Sequence, residues 1–302
     1  MKPIMTNYHT SHAKKTFFVG VMGLIASLTV ACGGATPTPI SATITPAPPT
    51  SAGAVLPTVN ASDTAKQHLD KAKAALKERR FDVALAEALA VTQSDTGSSD
   101  GFFVLGNVYN QSAGNEADPT RRQEMLTKAI TSYNTAVKLD PKNDAAQTNL
   151  GTVYYQLGQF DSARKSAEAA LAIKPDDART HYLLGTIYLQ NDPAKQPEML
   201  DKAQAEFDKA IGSEPDLGAA YIGLANIKLF RGDFAGAIAN AQKGVDLMKD
   251  GADPFALWAL AQAQCKGGSK AVGAQTLTRI ATMNVPDAQF NQQLQALAAQ
   301  CK

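Results

Sequence analysis

Cysteine, histidine and tryptophan are scarce in this chain: 302 residues carry three cysteines, four histidines and one tryptophan. Only His68 and His181 stand beyond residue 31, and no cysteine or carboxylate cluster accompanies them at zinc-ligand spacing, so no metal site is expected. A glycine-rich phosphate loop is missing too, since Gly267-Gly268-Ser269 reads as a turn between two helices. Asp and Glu are scattered as solvated helix faces, and no catalytic constellation or cofactor is called for. Charge of one sign is also lacking, with 29 basic residues against 28 acidic. Residues 1–31 hold three of the lysines and no acid, which leaves 26 basic against 28 acidic residues beyond them, a balance of minus two. That balance gives no electrostatic footprint for nucleic acid. Long apolar runs are absent as well: the uncharged stretch 16–30, about 15 residues, is too short to span a bilayer as a stable helix.

What the chain does have is repetition. Leu-Gly-x-x-Tyr recurs at Leu105-Gly106-Tyr109, Leu150-Gly151-Tyr154 and Leu184-Gly185-Tyr188, each followed by spaced alanines and a proline. In the middle copy the marks are Leu150, Gly151, Tyr154, Ala163, Ala170 and Pro175. Small residues at Gly151, Ala163 and Ala170 suit two helices in close approach, Leu150 and Tyr154 fill the space beside them, and Pro175 ends the second helix. The alternative is an alanine-rich bundle without repeats, which leaves the matched spacing of the three copies unexplained.

These marks resemble the 34-residue tetratricopeptide repeat family. The resemblance implies an all-α fold: a right-handed superhelical solenoid of helix-turn-helix repeats over residues 64–302, with a closing helix at 288–302. The units are 65–98, 99–143, 144–177, 178–217, 218–251 and 252–288. The first keeps only Ala72, Ala84 and an amphipathic run, and the fifth has Lys228 where tyrosine is usual. Drift at the ends is expected where one face meets water. Thr64 and Gln67 form a capping-box pattern at the start of the first helix.

Lys2, Lys14 and Lys15, the apolar run and Ala31-Cys32 read as an export signal over 1–31. Cys32 directly after Ala31 resembles the lipobox of bacterial lipoproteins, which implies a diacylated Cys32 as the mature N-terminus. One departure is that leucine stands four residues before the cysteine, at Leu28, with Thr29 in its usual place. Ordinary cleavage after Ala31 and an uncleaved anchor are the alternatives. Residues 32–63 are read as a flexible Pro/Thr/Ser-rich linker, with six prolines between 35 and 62. The sequons at Asn60 and Asn110 matter only in a eukaryotic secretory pathway. With Cys32 lipidated, Cys265 and Cys301 remain, and export permits a disulfide between them; two idle thiols are the other reading.

Two surfaces follow from the resemblance. First helices line the concave groove in this family, and carrying its groove positions onto this chain selects Phe103, Asn107, Asn110, Thr148, Thr152, Tyr155, Tyr182, Thr186 and Asn226. Uncharged amides, hydroxyls and flat rings suit an extended peptide. Packing between helices, or occupation by the chain's own linker, are the competing readings. The second surface is an edge, because Asp118-Pro119 and Asp192-Pro193 begin gapless matches that extend two second helices by about two turns. Duplication without use is the alternative there.

The expected protein is therefore a non-catalytic scaffold. It is lipid-anchored at the cell membrane or outer membrane of a bacterium, with its repeats outside the cytoplasm, and it binds a partner protein or an extended peptide. A pilotin-like or secretion-assembly factor, or a regulatory subunit of an envelope enzyme, is the alternative.

Overall fold

The computed structural model describes residues 56–190, 197–248, 253–283, 285 and 288–301. Cys32, the export signal, linker residues 32–55 and Asp192-Pro193 lie outside the described residues. Among those described there are thirteen α-helices and no strand, and consecutive helices pair. The pairs are α1 (Ala65–Lys77) with α2 (Phe81–Ser94), α3 (Ser99–Ala113) with α4 (Pro119–Leu139), and α5 (Asp144–Gln156) with α6 (Phe160–Ile173). Then come α7 (Ala178–Leu189) with α8 (Glu198–Ser213), α9 (Gly218–Phe230) with α10 (Phe234–Leu247), and α11 (Pro254–Lys266) with α12 (Lys270–Ala281). A last helix, α13 (Ala288–Gln300), packs on α11 and α12. The all-α, paired-helix architecture expected from the marks is the one found. Helices α1 to α4 make one compact unit and α5 to α13 another.

Local chemistry sets the helix ends. Thr64 and Gln67 close a reciprocal capping box on α1. Ser98, Asn143 and Asp177 each accept a backbone N–H three residues on, opening α3, α5 and α7. Such a cap is worth about 1 kcal/mol. Leu217 cannot do this, and α9 starts without a side-chain cap. Between paired helices the chain reverses through a left-handed residue: Gly158, Gly232 and Gly268 have φ of 70°, 77° and 85°. Arg79 takes the same role between α1 and α2 with φ 60°, a conformation that a side chain disfavours.

Packing depends on size matching between neighbouring helices. The ring of Tyr133, fully buried, lies where a Cβ on Gly106 would stand, 2.6 Å from it. Phe207, also fully buried, fills the corresponding place in its own pair against Gly185, and its far edge reaches Gly223 of α9. The register-equivalent residues of α6 and α10 are Ala167 and Ala241, and where α9 has Gly223 the helices α7 and α11 have the larger Leu183 and Leu257, each buried in the same apolar cluster as its alanine. Over these three junctions a large ring is matched with glycine and an alanine with leucine.

Two expectations concern the second helices. Helix α4 has 21 residues against 14 for α6, capped by Asp118 with Pro119 in the first turn, so this extension is present. Helix α8 has 16 residues and starts at Glu198, five residues after Pro193. Cys265, in α11, and Cys301, just past α13, are joined as a disulfide with Cα atoms 5.0 Å apart.

Candidate functional site

The first helices present the residues that the repeat register selects, and the structure sorts them by depth. In the α1–α4 unit, Phe103, Asn107 and Asn110 follow one another on α3, all half-buried. Asn107 Oδ1 accepts a hydrogen bond from the Tyr133 hydroxyl at 2.7 Å, so α4 holds that amide in place. Phe103 tilts against the Tyr133 ring at 6.1 Å. Asn110 differs: its Oδ1 is shut off from solvent and has no hydrogen-bond partner. A buried acceptor left unpaired costs about 1–3 kcal/mol, so this oxygen is a penalty carried by the fold.

In the α5–α13 unit the selected residues lie deeper. Thr148, Thr152, Tyr155, Tyr182 and Thr186 are all buried, and only Asn226 is half-open. Their polar groups are engaged within the protein. Thr148 and Thr180 share a 2.6 Å hydroxyl contact, and Thr180 donates to the capping carboxylate of Asp177 at 2.8 Å. Thr152 and Thr186 donate back to the carbonyls of Thr148 and Tyr182. The Tyr155 hydroxyl accepts from Gln190 Nε2 at 2.7 Å, while the ring tilts against Phe160. Burial pushes the Tyr155 and Tyr182 phenols well above their ordinary range, opposed by the hydrogen bonds from Gln190 and involving Thr186. These five side chains serve packing between successive first helices. The reason is close approach: small residues on neighbouring faces bring the helices near enough to cover them. Open to a ligand instead are Asn226, Leu189, Gln190 and Leu229, all half-buried.

Asp253 caps α11 by accepting from Phe255 N at 2.9 Å. Burial raises its pKa, against the effect of that hydrogen bond.

Sequence reasoning found no role for the two histidines, and the structure supplies one. His68 of α1 meets Glu87 of α2, and His181 of α7 meets Glu206 of α8, each through Nδ1 at 2.6 Å and each buried. His181 Nε2 also donates to the Pro175 carbonyl at 2.8 Å. Lys209 completes the carboxylate at 2.8 Å. The available signal was positional, since both histidines stand fourth in their units.

A family model described as Tetratricopeptide repeat matches residues 121–187. That stretch carries the tetratricopeptide repeat. BBSome complex member BBS4 of Bos taurus is 34% identical over 133 residues, which are 41% of this chain and 24% of that protein. The chain thus spans under a quarter of the length of that relative, and 9% of Superkiller protein 3 of Schizosaccharomyces pombe, to which it is 27% identical over 123 residues. Among solved structures, pilF of Pseudomonas aeruginosa superposes with a TM-score of 0.60 at 15% identity, over 77% of this chain and 96% of that one. At that identity the likeness concerns the fold of the repeats alone.

Proposed function

We propose that this protein is a non-catalytic scaffold whose first helices bind an extended segment of a partner protein, and that Cys32 anchors it by lipid to a bacterial envelope membrane. The observation that carries the binding reading is the α3 row, where Phe103, Asn107 and Asn110 are half-buried and uncharged. A peptide in extended conformation offers backbone N–H and C=O groups to such amides and side chains to the ring. Within the α5–α13 unit, Asn226, Leu189 and Leu229 offer uncharged chemistry of their own. The relatives that carry such repeats include a named member of a multiprotein complex, which is consistent with a partner protein as ligand.

Support for export comes from the residues before the repeats, namely an apolar run and the Ala31-Cys32-Gly33 step, and from the Cys265–Cys301 disulfide, a bond favoured in oxidising compartments. No helix among the described residues is long and apolar enough to cross a membrane.

The deciding experiment is in-cell crosslinking and recovery of the mature protein, wild type beside a Phe103→Ala, Asn110→Ala, Asn226→Ala triple variant. Partner peptides should be lost from the variant; unchanged recovery would remove the groove reading. Intact mass of the mature N-terminus tests the anchor, and an unmodified Cys32 would refute it.

A further inference from the structure

We infer that the Cys265–Cys301 bridge is a redox-operated latch on α13: the oxidised pair holds this helix over the apolar end of the last repeat, and reduction releases it. The bridge joins the last turn of α11 to the residue just past α13, 36 positions away in sequence.

Three observations carry this. First, α13 is weakly provided for by itself. Its sequence, AQFNQQLQALAAQ, has no charged residue, and a helix of 13 residues is marginal in water without tertiary support. Its buried side chains are Phe290 and Leu297, and Phe290 meets the Phe255 ring at 4.9 Å. Second, the surface under it is a core surface: Leu257, Leu260, Leu277 and Ile280 are buried in the same cluster as Phe290, Leu297 and both cysteines. Third, α12 leaves room for the oxidised pair. A Cβ on Gly273 would lie 2.6 Å from Cys265 Sγ and 2.9 Å from Cys301 Sγ, so only glycine fits beside the bridge as it stands. Three helices thus converge on one covalent bond.

Both sulfurs are buried in the closed state. Cys301 follows the last residue of α13, though, and helix ends fray most readily, so its sulfur is the one a reductant reaches first. The reductant is a dithiol. One of its thiolates attacks the bridge, the S–S bond breaks, and a mixed disulfide and one protein thiolate form. The second dithiol sulfur displaces the other protein sulfur. Two electrons and two protons have passed to Cys265 and Cys301, and the reductant leaves as its own disulfide.

A purely static staple predicts something different, because α13 would then stay docked by its apolar face after reduction. Hydrogen–deuterium exchange on the full chain, with and without dithiothreitol, separates the two. Residues 288–301 should lose protection at least tenfold on reduction while α5 to α8 keep theirs; unchanged protection over 288–301 overturns the latch. Cys301→Ser should match the reduced wild type in both buffers, and protection like that of the oxidised protein would equally overturn it. Two thiols alkylated in denaturant without reductant, in protein recovered from its own cells, would show that the closed state is not formed there and end the proposal.

Discussion

Phe207 of α8 occupies the space that a side chain on Gly223 of α9 would need, its ring carbons lying 2.5 Å from the place of a Cβ. One repeat earlier the equivalent positions hold Ala167 and Leu183, both buried in one apolar cluster. Gly223→Leu should therefore overpack the junction and cost about 1–3 kcal/mol, and Phe207→Ala should open a cavity costing about 3–5 kcal/mol. The double variant rebuilds the Ala–Leu arrangement and should cost less than the sum. Urea unfolding of all four proteins measures the coupling; strict additivity would show that the two sites are independent.

The His181–Glu206 pair predicts an asymmetry. Glu206→Ala leaves His181 buried beside an empty place and should destabilise by about 3 kcal/mol, whereas His181→Leu with Glu206→Leu together should cost less than that single change. Chemical denaturation checks it, and a double variant less stable than Glu206→Ala would contradict the account.

Asp253 gives a pH dependence whose sign is fixed by burial. Its pKa is raised in the fold, so the folded state disfavours the carboxylate; the penalty is full above the raised pKa, fades as pH falls from there towards the unfolded value, and is gone below it. Asn at this position keeps the acceptor for Phe255 N. Asp253→Asn should thus raise Tm at pH 7, and the two Tm curves should meet as pH falls to about 4. A variant less stable than wild type at pH 7 would show that the charge itself supports the helix.

Buried and open residues of the first helices should separate in experiment. Thr148→Val removes the hydroxyl shared with Thr180 and should cost about 1 kcal/mol while leaving partner recovery intact. Asn110→Ala should leave Tm unchanged or raised, since it removes an unpaired buried oxygen, and should weaken partner recovery. The reverse pattern would assign binding to the residues the structure buries.

The parts of this architecture that depend on neighbouring residues were legible in the sequence. Thr64 with Gln67 is a reciprocal cap at three-residue spacing, Gly268 marks a reversal, and Leu-Gly-x-x-Tyr locates three first helices. Depth was not legible. Register tells which way Thr152 or Tyr182 points, but their burial depends on how near the next helix comes, and that is set by residues such as Gly185 and Gly223 about a repeat away. His181 and Glu206 stand 25 residues apart in sequence, so nothing local joined them. Asn110 looked like its neighbour Asn107 in sequence. Only the Tyr133 hydroxyl distinguishes them, satisfying one amide and not the other.

Pairing between consecutive helices also orders events in time. A pair such as α5–α6 has its partners within a few residues of chain, so it can form while later residues are still being made or threaded through a membrane pore. Cys265 is the exception, because its partner stands 36 residues further along. The bridge can close only after Cys301 has been made, so a product truncated before Cys301 carries an unpaired thiol at Cys265, open to thiol-directed quality control.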